Sequence, residues 1–237
     1  ANAFLRLAAR EATPLGQTLV VIHDGVEYRI TLPLIGAYQT ADALVAAGLA
    51  LATGGEPGQV FDALGRLQPV RGRLERAVIT HSGAPVYVDY AHTPDALAAA
   101  INALRPHVSG RLVTVFGAGG DRDSGKRAPM GEVASRHSDG VIVTDDNPRG
   151  EDPAAIRRQI LNGAGANAAE IGDRREAIAH AVEHAEPNDI ILIAGKGHEE
   201  GQIIGSGESM QVLPFNDVQV AREEASRIGR QAWSADR

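Results

Sequence analysis

A short, mostly apolar run followed at once by a cluster of polar residues recurs four times in this chain, and that pairing constrains the fold more than any other feature. Val86-Tyr87-Val88 runs into Asp89-Tyr90-Ala91-His92-Thr93-Pro94, and residues 112–116 run into a glycine-rich stretch at 117–127. Val141-Ile142-Val143 leads to Asp145-Asp146-Asn147-Pro148-Arg149, and residues 190–193 lead to Ala194-Gly195-Lys196-Gly197-His198-Glu199-Glu200. Helical spacing lies between the runs: Leu97, Ile101 and Leu104 fall at i, i+4, i+7, and Ile178, Ala181, Val182 and Ala185 mark a second stripe. Strands alternating with helices predict an α/β fold with a Rossmann-like, doubly wound, mostly parallel sheet. Ligands of such sheets bind beyond the carboxyl ends of the strands, so the four polar clusters are expected along one edge.

The turn at 145–149 carries the densest chemistry. Pro148 fixes its own φ and biases Asn147 away from the helical region, which places two acids, an amide and a guanidinium on a pre-shaped turn. A helix is expected to start near Asp152. An arginine here suits a planar carboxylate, which it grips with two parallel donors. Taken alone, the segment also fits a charged connection with local Asp-Arg pairing, so the other strand ends decide between the two.

Upstream, residues 18–23 and 26–34 are expected to be strands joined by Asp24-Gly25, a strong hairpin signal. Helices are expected over about 41–53 and 57–66, with Gly54-Gly55 between them and Pro57 at a helix start. The helical pattern stops near Pro69 to Arg73, where a strand around Ala77 to Thr80 takes over. A closing helix is expected over 218–228, with residues 229–237 frayed. The 237 residues carry no Cys, which excludes disulfides and thiolate metal sites. A net charge of −7 disfavours a binder of nucleic-acid phosphates. No apolar run approaches a membrane span and no signal-peptide pattern appears, so neither membrane insertion nor export is expected. The acids and histidines would also permit a metal-dependent hydrolase, but no HExxH or comparable ligand spacing is present.

Four features in matching order give the chain a family resemblance: Gly72-Arg73-Leu74-Glu75; the segment 89–94; the glycine-rich segment 119–127; and Asp146-Asn147-Pro148-Arg149 followed by Gly195-Lys196-Gly197-His198-Glu199. The sequence resembles the Mur ligases of peptidoglycan synthesis, within them the branch that adds meso-diaminopimelate to UDP-N-acetylmuramoyl-L-alanyl-D-glutamate. The resemblance implies an ATP- and Mg2+-dependent, cytoplasmic amide ligase working through an acyl phosphate. It also implies that residues 1–71 are the tail of a central ATPase domain and 72–237 the C-terminal domain. No segment reads GxxxxGK[ST], and the stretch 119–126 is rejected as a phosphate loop because its Asp-Arg-Asp core would set two carboxylates beside a triphosphate. The chain is therefore expected to be a fragment that is inactive alone, with most magnesium ligands elsewhere. Two alternatives stay open: a non-catalytic amino-acid or nucleotide-binding module, and another amide ligase of the superfamily, such as a folate or cyanophycin type.

Residue roles follow from the resemblance. Arg73 and Asp89 match positions facing the nucleotide, with Asp89 accepting from ribose hydroxyls and Arg73 offering a cation; a structural Asp89-Arg73 pair is the plain alternative. Tyr90 and His92 match the adenosine side. The family usually carries two amides before the first helix, whereas residues 36–42 here read Gly-Ala-Tyr-Gln-Thr-Ala-Asp. Gln39 keeps an amide, but Asp42 can only accept from adenine. Arg122, Asn147, Arg149, Gly195 and Glu199 match the diaminopimelate pocket. There the arginines would bind carboxylate with Asn147 assisting, and Glu199 with the Gly195 carbonyl would receive the ammonium. Asp146 is expected to orient Arg149 or cap the next helix, and Lys126, Arg127, Lys196 and His198 to serve phosphate or line the cleft.

Overall fold

The computed structural model describes residues 3–235, which divide into two compact units. One extends to Pro69 and takes in Ala103–His107; the other holds the remainder from Val70 onward.

The first unit is built on a three-stranded antiparallel sheet, β1 (Leu5–Thr13), β2 (Gly16–His23) and β3 (Val26–Leu32), in that order. Asp24 and Gly25 both take positive φ, 48° and 82°, which suits the twist of a tight hairpin. Alternate residues Leu19 and Val21 of β2 join Ile30 and Leu32 of β3 in a core. That core is closed by Ala43, Ala47 and Leu51 of α1 (Ala37–Ala52) and by Phe61 and Leu64 of α2 (Pro57–Leu64). The buried Gln17 side chain donates to the carbonyls of Leu34 and Gly36 at 2.8 and 3.0 Å, pinning the entry to α1. That long-range anchor starts α1 earlier than its apolar spacing suggests. Strand β1 went unpredicted because it is an edge strand exposed over most of its length.

In the second unit the strands are β4 (Glu75–Ile79), β5 (Pro85–Asp89), β6 (Leu112–Phe116), β7 (Gly140–Val143), β8 (Ala168–Glu170) and β9 (Ile190–Ala194). Their spatial order is β4-β5-β9-β6-β7-β8, with β4 antiparallel to β5 and every other pairing parallel. Strand β9 returns between β5 and β6, so the chain leaves β5, β6, β7 and β9 along one edge. The intervening helices are α3 (Pro94–Leu104), α4 (Arg127–His137), α5 (Pro153–Leu161) and α6 (Arg174–Glu183). A small antiparallel hairpin, β10 (Gly201–Ile204) with β11 (Gln211–Pro214), precedes α7 (Asp217–Ala235).

One face of the sheet, from Val86 and Val88 through Val115, Ile191 and Ile193, packs on Ala177, Ile178 and Val182 of α6 and Val220 and Ala221 of α7. Strand β9 is buried along its whole length, as expected of a central parallel strand covered on both faces. The mostly parallel, doubly wound sheet expected from sequence is what the chain forms. The last helix runs on through 229–235, where fraying was expected; residues 236–237 lie outside the described residues.

Candidate functional site

Beyond β7 the chain makes a strained turn. Asn147 and Arg149, on either side of Pro148, both take left-handed φ, 45° and 50°, a region costly for a residue with a Cβ, though less so for asparagine. Neighbouring elements hold it there. Arg149 N donates to Ile203 O at 3.1 Å and its carbonyl accepts from Gly205 N at 2.8 Å, so the turn lies parallel against β10. On the other side Gly120 N donates to Asn147 O at 3.0 Å. A Cβ on Gly120 would lie 1.8 Å from the Pro148 oxygen, so the glycine-rich stretch needs glycine to approach this closely.

Asn147 is the hub of a buried network. Its Oδ1 accepts from Lys196 Nζ at 2.8 Å and from Ile203 N at 2.9 Å, and its Nδ2 donates to Glu199 Oε2 at 2.9 Å. Two donors fix which end of the amide is oxygen, so the NH2 must face the glutamate. Lys196 is fully buried. Besides Asn147 it donates to Gly201 O at 2.8 Å, and it lies 3.3 Å from Asp146 Oδ1 and 3.8 Å from Glu199 Oε2. Burial pushes its ammonium below the usual lysine range, with the neighbouring carboxylates opposing that shift.

Asp146 faces Lys196, not Arg149, and it does not cap the next helix. The cap of α5 is Asp152, whose carboxylate accepts from Ala154 N at 3.0 Å. Asp146 is 7% exposed, and a buried carboxylate takes the cation within reach inside the fold rather than one at the surface. Asp145 pairs instead with Arg157, which also holds Glu170. The carboxylate of Asp146 explains Gly195: with φ of 121°, a Cβ there would come within 2.3 Å of Asp146 Oδ2. Below this layer Arg174 and Asp217 form a buried two-pronged ion pair, both bonds 2.8 Å, and Arg174 Nη2 also holds Ala194 O at 3.0 Å.

The Arg149 guanidinium is half-buried. Its Nη1 donates to Gly120 O at 3.0 Å and Asn147 O at 3.3 Å, while no acceptor among the described residues reaches its Nε or Nη2. Arg122 is exposed, with Nη1 donating to Asp121 O at 3.3 Å. Arg127 turns inward: it grips Glu151 with two 2.8 Å bonds and also donates to Gln159 and Gly119 O, which braces the glycine-rich stretch. Asn147 and Arg149 thus lie beyond β7 and Gly195 and Glu199 beyond β9, with the Asn147–Glu199 bond joining the two strand ends and Arg122 exposed on the glycine-rich stretch.

At the end of β5, Asp89 is buried and spends both oxygens on backbone: Oδ2 accepts from Leu74 N and Oδ1 from Ala91 N, at 2.8 and 2.9 Å. It clamps the Gly72-Arg73-Leu74-Glu75 turn, in which Leu74 sits at φ 44° and Gly72 N donates to Glu75 Oε2 at 2.8 Å. Burial raises the Asp89 carboxyl above its usual range despite these bonds and the nearby Arg73. Outside the clamp, the Tyr90 ring has His92 and His198 beside it, at centroid distances of 4.7 and 5.3 Å, and the Arg73 guanidinium over it at 4.9 Å. Lys126 Nζ donates to His92 O at 2.7 Å. Asp42 belongs to the other unit, exposed on α1.

Sequence alone did not single out Arg174, Asp217 or Gln202, whose Oε1 accepts from Asn147 N at 3.2 Å. It named Lys196 only to serve phosphate or line the cleft, whereas the side chain is fully buried.

The family model described as "Mur ligase, glutamate ligase domain" matches residues 72–197. A UDP-N-acetylmuramoyl-L-alanyl-D-glutamate--2,6-diaminopimelate ligase from Zymomonas mobilis is 63% identical over 219 residues, 92% of this chain and 45% of that protein. A ligase of the same name from Bradyrhizobium diazoefficiens is 54% identical, covering 94% of this chain and 45% of its own length. A solved structure of a ligase so named superposes with a TM-score of 0.75 at 35% identity, over 95% of this chain and 46% of that one. The chain therefore spans less than half the length of the relatives it matches. The strand-end motifs, the doubly wound sheet that gathers them and the matched domain agree: this chain belongs to the Mur ligase family.

Proposed function

We propose that this chain is the amino-acid-presenting part of a cytoplasmic, ATP-dependent amide ligase that joins meso-diaminopimelate to UDP-N-acetylmuramoyl-L-alanyl-D-glutamate in peptidoglycan synthesis. One observation carries the proposal: Arg149 offers unused donors on the turn where Asn147 braces the carboxylate of Glu199. An amino acid with a carboxylate and an ammonium at its unreacted end matches that pair of opposite charges. Arg122 at the rim supplies a second cation for carboxylate. The relatives' names point to the same substrates.

In this reading residues 72–237 are the ligase's C-terminal domain and 1–71 the tail of its central ATPase domain. The Tyr90, His92 and His198 rings with Arg73 fit a flat, polar ligand such as a nucleoside, and Asp89 shapes that surface through the turn it clamps. No three His, Asp or Glu side chains among the described residues are grouped to hold a metal, so magnesium, which would neutralise phosphate charge, is assigned no ligands here. In the whole ligase the D-glutamate γ-carboxylate is phosphorylated, and the reacting amine of diaminopimelate attacks the acyl phosphate, expelling phosphate. This chain contributes positioning: it fixes the distal end so that the amine is held at high effective concentration.

Ligand-observed NMR on the chain tests the proposal. meso-Diaminopimelate should bind with Kd of roughly 1 mM, more tightly than L-lysine, which lacks the distal carboxylate, and Arg149→Ala should abolish the preference. Equal binding of the two amino acids, or an unchanged preference in the variant, would sink it.

A further inference from the structure

The buried lysine on the β9 loop reaches the Asn147 amide, the Gly201 carbonyl and the carboxylates of Asp146 and Glu199. We infer that Lys196 is a positioning residue for amino-acid recognition: it sets the orientation of the Asn147 amide and thereby aims the Glu199 carboxylate at the ligand's ammonium. The inference rests on the amino-acid pocket proposed above and deepens it.

The geometry leaves Asn147 one orientation. Lys196 Nζ and Ile203 N both point donors at Oδ1, so reversing the amide would set an NH2 against two donors. The NH2 therefore faces Glu199 and takes one carboxylate oxygen, Oε2. No hydrogen bond among the described residues reaches Oε1, which is left for a ligand donor. Lys196 also lies between two carboxylates, 3.3 Å from Asp146 Oδ1 and 3.8 Å from Glu199 Oε2, with the Arg174–Asp217 pair beside them. Lys196 itself cannot touch the ligand, because it is fully buried beneath Asn147 and the Gly201 carbonyl. Its influence must pass through Asn147 and Glu199.

A plainer role is that Lys196 merely offsets the charge of Asp146, and a pair of variants separates the two. Lys196→Met alone strands Asp146 and is expected to destabilise the chain. The double variant Lys196→Met with Asp146→Asn removes both charges and should fold. If Lys196 positions the pocket, the double variant should bind meso-diaminopimelate at least tenfold more weakly than the parent chain, and the side-chain NH2 resonances of Asn147 should shift. Binding within twofold of the parent, with those resonances unmoved, would overturn the inference. If the parent chain itself fails to bind diaminopimelate, the pocket proposal falls, and the Asn147 resonances still report on Lys196 because they require no ligand. If neither variant folds, the parent chain provides the test: its Lys196 ammonium should give a slowly exchanging 15N signal that moves on adding meso-diaminopimelate and not on adding L-alanine. A signal indifferent to both would overturn the inference.

Discussion

Two aspartates, each at the carboxyl end of a parallel strand and each buried, are satisfied in different ways. Asp89, ending β5, gives both oxygens to backbone amides and shapes a turn. Asp146, beyond β7, lies against a buried ammonium and through it joins a side-chain network. The backbone clamp is local and its partners cannot leave. The ion pair is tertiary, and losing either partner strands a charge. The contrast teaches that the β5 side of this edge is held by main-chain geometry, whereas the β7 side is held by charge balance and fails more steeply.

The most severe test is Lys196→Met, which removes the ammonium 3.3 Å from the buried Asp146 carboxylate. A loss of about 3 to 5 kcal/mol in unfolding free energy is expected from chemical denaturation; a loss below about 1 kcal/mol would dissolve the contrast with Asp89. Asp89→Ala should cost less, about 2 to 3 kcal/mol, because two buried N–H groups lose their acceptors while no charge is stranded.

A subtler effect is pH dependence at Asp89. Burial raises its carboxyl in the folded chain, so just above the ordinary aspartate range the folded state keeps a proton that the unfolded state has released. Stability should therefore fall as pH rises through that window. Urea midpoints measured from about pH 4 upward should show this downward component in the parent. Asp89→Asn should lack it, and an unaltered pH profile in that variant would place the titration elsewhere. Smallest of all, Arg122→Ala should change stability by less than about 0.5 kcal/mol, because the side chain is exposed and held by one long bond. The same variant should still weaken diaminopimelate binding. A large stability loss would mean the rim is part of the scaffold.

The sheet and its site-bearing edge were legible in the sequence because the signal there is local: a buried strand and the polar cluster after it are contiguous. Strands β8 and β11 were not, since β8 has three residues and β11 is exposed throughout, so neither carries an apolar period. The arginine, asparagine and glutamate of the proposed pocket were named from motifs. Their internal wiring was not. Asp146 was matched with the arginine three positions away, when its partner lies on another strand's loop. Lys196 was placed in the cleft, and what its burial rests on, the bond to Asn147, lies 49 positions earlier. The Arg174–Asp217 pair is likewise separated by 43 positions. Spacing on one element reveals a face, but ion pairs that bridge elements leave no periodic trace.

The parallel seam between the Asn147–Arg149 turn and β10 has a consequence for anyone wishing to move this turn to another scaffold. Two of its residues are left-handed, and β10, from the far side of β9 in the chain, holds them so. Grafting 145–149 alone would transplant an inscription without the plate it is engraved on, and the recipient loop would relax to an ordinary conformation with its guanidinium aimed elsewhere. A faithful transfer carries the hairpin that backs the turn and the β9 loop that holds its amide as well.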